Sequence, residues 1–139
     1  MADALADVRL VWAVGGNAFL LRRAMWQSGF DRWLPSRVQE GMLIYGGWSA
    51  GAVVAGPDLD GIELMDDPGM TAEGYEAGVV REGLGLVDFT VVPHYRSDHP
   101  EAEAAERAAS FRQERRLPFR TLGHRRLSWS GPTGQRARR

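Results

Sequence analysis

The run Met42-Leu43-Ile44-Tyr45-Gly46-Gly47-Trp48-Ser49-Ala50-Gly51-Ala52-Val53-Val54 constrains this chain more than any other segment. A short apolar stretch enters a Gly-x-Ser-x-Gly turn and leaves it as a helix of small residues. That order demands a strand with a helix packed closely against it, and it pushes the serine hydroxyl clear of the backbone. Gly47 and Gly51 flank Ser49 where a side chain would collide with neighbouring backbone. Ala50 keeps the helix start close to the strand and aims its N–H where an oxyanion would form. The motif implies a hydrolase with Ser49 as its nucleophile. Trp48 precedes the nucleophile and reads first as packing, with a substrate-binding place in the pocket wall as the alternative.

The remaining elements fall into an alternating order. Val8 to Val14 reads as a buried strand ending at Gly15-Gly16-Asn17. Ala18 to Ser28 is an amphipathic helix with Arg22 and Arg23 on its polar side, capped by Asn17 and closed by Gly29. A second helix runs from Asp31 to Val38. Gly56 to Gly78 has no steady period and reads as a long surface loop. Val87 to Val92 is a strand ending at Pro93-His94-Tyr95. Pro100 to Arg116 is a helix, and Leu117 to Leu122 a last strand. Strands alternating with helices imply an α/β fold with a mostly parallel sheet covered on both faces. In such sheets function gathers at the carboxyl ends of strands. Gly15-Gly16-Asn17, Ser49 and His94 all lie just past such ends.

A serine hydroxyl is a poor nucleophile without a base. Of the histidines, His94 is the best placed, since it follows a strand and a proline that fixes its backbone. His99 lies in a polar segment and reads as an exposed helix-entry residue. The N–H groups of the Gly15-Gly16 turn suit the second half of an oxyanion hole, against a purely structural turn or a weak phosphate loop. A metal site from His94, His99 and Asp98 is disfavoured, because i, i+5 spacing suits neither a strand face nor a helix face. No metal and no cofactor is expected. Trp12, Trp26 and Trp33 are expected to pack the core or its edge.

Composition narrows the partners. With 139 residues, 44% hydrophobic content and a net charge of −1, the chain has the make-up of one globular domain with no bias toward nucleic acid or membranes. The absence of cysteine removes disulfides and thiolate metal sites and fits a reducing compartment. No run approaches the roughly 18 apolar residues of a membrane helix, and the acidic N-terminus does not resemble a signal peptide. These features lead to an expectation of a cytoplasmic protein.

Three blocks together resemble the peptidase E family of serine peptidases: Val14-Gly15-Gly16-Asn17-Ala18-Phe19-Leu20-Leu21, Tyr45 to Ala52, and Gly83 to Val87 continuing to Pro93-His94-Tyr95. The family includes aspartyl dipeptidases and is similar in fold to class I glutamine amidotransferases, with serine in place of cysteine. The resemblance implies a three-layer αβα sandwich with a mostly parallel sheet over about residues 1–122. It also implies Ser49 as nucleophile, His94 as general base, and Gly16 and Ala50 as oxyanion donors. More weakly, it implies Arg107 as a ligand for a substrate carboxylate.

Two departures from the family accompany it. Family members carry further strands before the Gly-Gly-Asn block, so the fold is expected to be incomplete at the N-terminal side. An exposed sheet edge would then favour a homo-oligomer or a complementing chain as partner, or a catalytically inactive remnant. The family's third triad member is an acid just before a glycine, where this chain reads Arg120-Thr121-Leu122-Gly123-His124. Losing that partner can cost about 10⁴ in rate; Glu114, Asp98 and Glu101 are the candidate substitutes. The arginine-rich segment 123–139 is read as a non-native or disordered tail left by a frameshift between about Leu122 and Arg126.

Overall fold

The computed structural model describes residues 3–123, so the tail reading lies outside the described residues except for Gly123. Two parallel strand pairs, each closed by helical crossovers, form the framework. In the first, β1 (Leu10–Ala13) pairs with β2 (Ile44–Gly47), with Leu10 opposite Ile44 and Ala13 opposite Gly47. The crossover holds α1 (Ala18–Ser28) and α2 (Phe30–Gln39). Asn17 caps α1 by accepting the Leu20 N–H at 3.0 Å. Gly29, at φ 74°, ends α1 and starts α2 in a left-handed conformation that favours glycine. In the second pair, β3 (Thr90–Val92) and β4 (Phe119–Thr121) flank α4 (Ala102–Glu114). The fold class is therefore the expected α/β, although each strand is shorter than its apolar run.

The elbow helix α3 (Ala50–Val53) joins the two pairs. Beyond it, the chain passes so close to β3 that a Cβ on Gly56 would lie 2.8 Å from the Phe89 carbonyl oxygen and 2.9 Å from Thr90 Cα. Glycine is required for that approach, and the approach carries β3, with His94 at its end, toward the elbow. Phe19, Leu34, Val53, Val54, Leu59 and Ile62 form the larger core, while Val92, Ala105, Ala108 and Ala109 seal α4 onto β3. Met65 packs against both clusters.

Arg112 locks the second unit to the loop after the elbow. Its guanidinium is fully buried, meeting Asp58 Oδ1 at 2.6 Å and donating to the Asp60 carbonyl at 2.7 Å and the Pro118 carbonyl at 3.1 Å. Thr90 Oγ1 donates to the Asp58 carbonyl from the other side. The arginines of α1 also depart from the amphipathic reading. Arg22 is 5% and Arg23 0% exposed, because the loop over residues 68–82 folds across them. Arg22 donates to the Glu82 carbonyl and pairs with Asp31, while Arg23 donates to the carbonyls of Pro68, Met70 and Gly78.

The opposite face of the first pair is open among the described residues. Leu10, Trp12, Val14 and Ile44 are each more than half exposed, and the Trp12 ring lies over Gly46. Trp26 is also exposed, so of the three tryptophans assigned to packing only Trp33 packs against the core. The strand alternation places Val11, Ala13 and Tyr45 toward the helices and leaves the other face without a covering layer. Removing one partner of a buried ion pair strands the other. Arg112→Met is accordingly expected to lower unfolding stability by about 3 kcal/mol, read as a drop in the urea midpoint at unchanged slope; an unchanged midpoint would show that the pair carries no stability.

Candidate active site

Ser49 sits at φ 51°, ψ −120°, a region that costs a non-glycine residue of order 1–3 kcal/mol and persists only where packing imposes it. The packing is visible. A Cβ on Gly47 would lie 2.5 Å from the Gly51 carbonyl carbon, and one on Gly51 would collide with the Ala13 backbone. The turn is thus clamped between β1 and its own helix. Tyr45 adds a second clasp, donating its hydroxyl to the Gly51 carbonyl at 2.6 Å. Burial pushes the Tyr45 phenol well above its ordinary pKa, so it stays a donor throughout the accessible pH range.

The clamp leaves the Ser49 hydroxyl facing His94, with Oγ 2.9 Å from Nε2. The two residues come from different strand pairs, 45 positions apart, and His94 is nearly buried. His94 is itself left-handed at φ 62°, as is Arg96 at φ 47°, and Ser97 Oγ donates to the His94 carbonyl at 2.8 Å. These turns curl the chain back on itself. His99 consequently stacks on His94, with ring centroids 3.8 Å apart and planes within 13°, rather than standing as a free helix-entry residue. The Glu101 carboxylate lies 3.6 Å from His94 Nε2 and 3.8 Å from His99 Nδ1. Of the acids named as substitutes for a third triad member, Glu101 lies within ion-pair distance of His94. It approaches the nitrogen that faces Ser49.

The glycine turn closes the other side. A Cβ on Gly15 would lie 3.3 Å from Ser49 Cβ and 3.3 Å from the Trp48 ring, so the turn passes close beside the serine. Gly16 has φ 137°. Within the described residues, neither the Gly16 N–H nor the Ala50 N–H donates to another protein group. Trp48 is 56% exposed and rests against Gly15, at the rim of the site. Arg107 is not brought to the pair. It bonds Glu103 at 2.9 Å on the solvent side of α4, opposite the buried Ala105, Ala108 and Arg112.

Sequence reasoning missed Asp66. Its Oδ2 accepts the Ala18 N–H at 2.8 Å, while Asn17 Nδ2 donates to the Asp67 carbonyl at 2.8 Å. Together these bonds tie the loop after the elbow to the glycine turn. Partial burial raises the Asp66 pKa, the bond from Ala18 offsets part of the rise, and the charge of Glu101 adds to it.

The model of Peptidase family S51 matches residues 1–122. The chain belongs to that family. It is 34% identical over 109 residues to an uncharacterized peptidase of Pasteurella multocida, covering 77% of this chain and 49% of that protein. Peptidase E of Streptomyces coelicolor is 33% identical over 141 residues, covering 96% of this chain and 52% of its own length. A peptidase E-type protein of known structure from Listeria monocytogenes superposes with a TM-score of 0.69 at 25% identity, covering 88% of this chain and 55% of its own. The chain thus spans about half the length of the curated relatives it matches. That likeness agrees with the three-layer α/β architecture expected of the family.

An acid whose pKa is raised on folding stabilises the fold most below its unfolded value, and that contribution is lost as pH rises through the folded value. Asp66 therefore weakens the fold as pH climbs out of the ordinary carboxylate range. Asp66→Asn keeps an oxygen for the Ala18 N–H and removes the charge. The variant is expected to match or exceed the parent's stability at neutral pH and to lose that part of the pH dependence, as measured by urea unfolding from pH 4 to about pH 7. A variant clearly weaker at neutral pH would show that the ionised carboxylate supports the turn.

Proposed function

We propose that this chain is a serine-type peptidase of the S51 family that hydrolyses short peptides, with Ser49 as nucleophile and His94 as general base. The observation that carries the reading is the 2.9 Å Ser49 Oγ–His94 Nε2 contact on a strained elbow. With its proton on Nδ1, His94 accepts the Ser49 hydroxyl hydrogen as Oγ attacks the scissile carbonyl carbon. The oxygen becomes an oxyanion facing the N–H groups of Gly16 and Ala50. The tetrahedral intermediate collapses as His94 returns the proton to the leaving amine. Water, deprotonated by the same nitrogen, then releases the acid and restores Ser49. Trp48 walls the substrate side.

The substrate on this reading is a short peptide; among the described residues no helix is long and apolar enough to cross a membrane. A second reading is favoured by the open face of Leu10, Trp12, Val14 and Ile44. On that reading the chain works as one partner of an oligomer or of a complementing pair, whether or not it turns over substrate by itself.

A fluorophosphonate probe tests the first reading. The folded chain is expected to be labelled at Ser49, with labelling abolished in Ser49→Ala. In His94→Gln it should fall by at least about a hundredfold, the low end of what a general base supplies. Folded protein that resists labelling would reject the first reading and leave the second.

A further inference from the structure

An i, i+5 spacing disfavours a shared metal only where a regular strand or helix joins His94 to His99. The left-handed residues His94 and Arg96 remove that condition, since they fold 94–99 into a tight curl. His94, His99 and Glu101 consequently each offer a donor atom within 4.8 Å of the other two. The Glu101 oxygen is 3.6 Å from His94 Nε2 and 3.8 Å from His99 Nδ1. Two ligands about 2.0–2.1 Å from one tetrahedral ion stand roughly 3.4 Å apart, so both contacts are within a few tenths of an ångström of a shared ion. Two imidazoles and one carboxylate are the donors preferred by zinc-like ions, not by magnesium or calcium.

We propose that His94, His99 and Glu101 form an inhibitory site for a zinc-class divalent cation. Its regulatory consequence rests on the reading of Ser49 and His94 as the catalytic pair; the binding itself does not. The ion would take the lone pair of His94 Nε2, the one that accepts the Ser49 proton, and so remove the base without entering any chemical step. His94 and Glu101 already converge. His99 has to turn, because an ion cannot lie in the plane of both stacked rings at once. That ring is free to do so: its side chain is about one-third exposed, and the bond it gives up is a 3.2 Å contact from the Glu101 N–H to Nδ1. Deprotonated ligands are needed, so the ion would bind more tightly as pH rises from acid to neutral.

The test is calorimetric titration of the whole chain with zinc and, separately, magnesium, in the parent, in Glu101→Gln and in His99→Ala. Glu101→Gln is a near-isosteric change on a partly exposed residue and guards against a folding artefact. The parent is expected to bind zinc in the micromolar range and to ignore magnesium. Each variant should lose at least about tenfold in zinc affinity, given that even outer partners of metal ligands are worth that much. Zinc should also protect Ser49 from the fluorophosphonate in the parent but not in His99→Ala, and a chelator should restore labelling. Equal zinc affinity in parent and Glu101→Gln, or no zinc binding by the folded parent, would overturn the proposal. Zinc binding lost in both variants, in a chain that is never labelled, would uphold the site and reject the Ser49 reading.

Discussion

The rest of the structure depends on the missing side chains at Gly47 and Gly51. Without them β2 turns directly into α3, and α3 lies on the Ala13 backbone at a distance no other residue permits. That contact forces Ser49 to φ 51°, where its hydroxyl leaves the backbone envelope. The hydrogen bond from Tyr45 to the Gly51 carbonyl holds the turn from beneath. A strain of order 1–3 kcal/mol is then retained rather than relaxed.

The second constraint is the bridge between the two strand pairs. Ser49 and His94 share no strand and no helix, so their contact is only as good as the packing between α3 and β3. Gly56 allows the approach, and Arg112 with Asp58 fixes it from the side of α4. Asp66 and Asn17 bring the glycine turn into the same arrangement. The site is therefore assembled from three places, the glycine turn, the elbow and the end of β3, each at the carboxyl end of a parallel strand.

Much of this was legible in the chain itself. Helix α1 is legible to both ends because Asn17 and Gly29, residue types suited to its caps, bracket its apolar periodicity. The elbow was read from its glycines, and His94 from the strand and proline before it. Other features depended on signals a single sequence does not carry. His99 looked like an exposed residue because nothing in His94 or Arg96 announces a left-handed backbone. Arg22 and Arg23 looked like a solvated helix face, since the loop that covers them has no periodicity of its own. Trp12 reads as core or core edge, because an apolar strand does not reveal which of its faces lacks a neighbour. Arg107 was carried by family resemblance alone, and its helical phase places it with Glu103 on the outside of α4.

The central claim is that the fold delivers Ser49 Oγ to the unprotonated Nε2 of His94. Nitrogen NMR of the imidazole ring reads that contact without requiring turnover. With the proton on Nδ1, His94 Nε2 should show the shift of a hydrogen-bonded acceptor in the parent chain and move toward that of a free acceptor in Ser49→Ala, while His99 changes little. Identical His94 shifts in the two proteins, or a proton resident on Nε2 in the parent at neutral pH, would contradict the account.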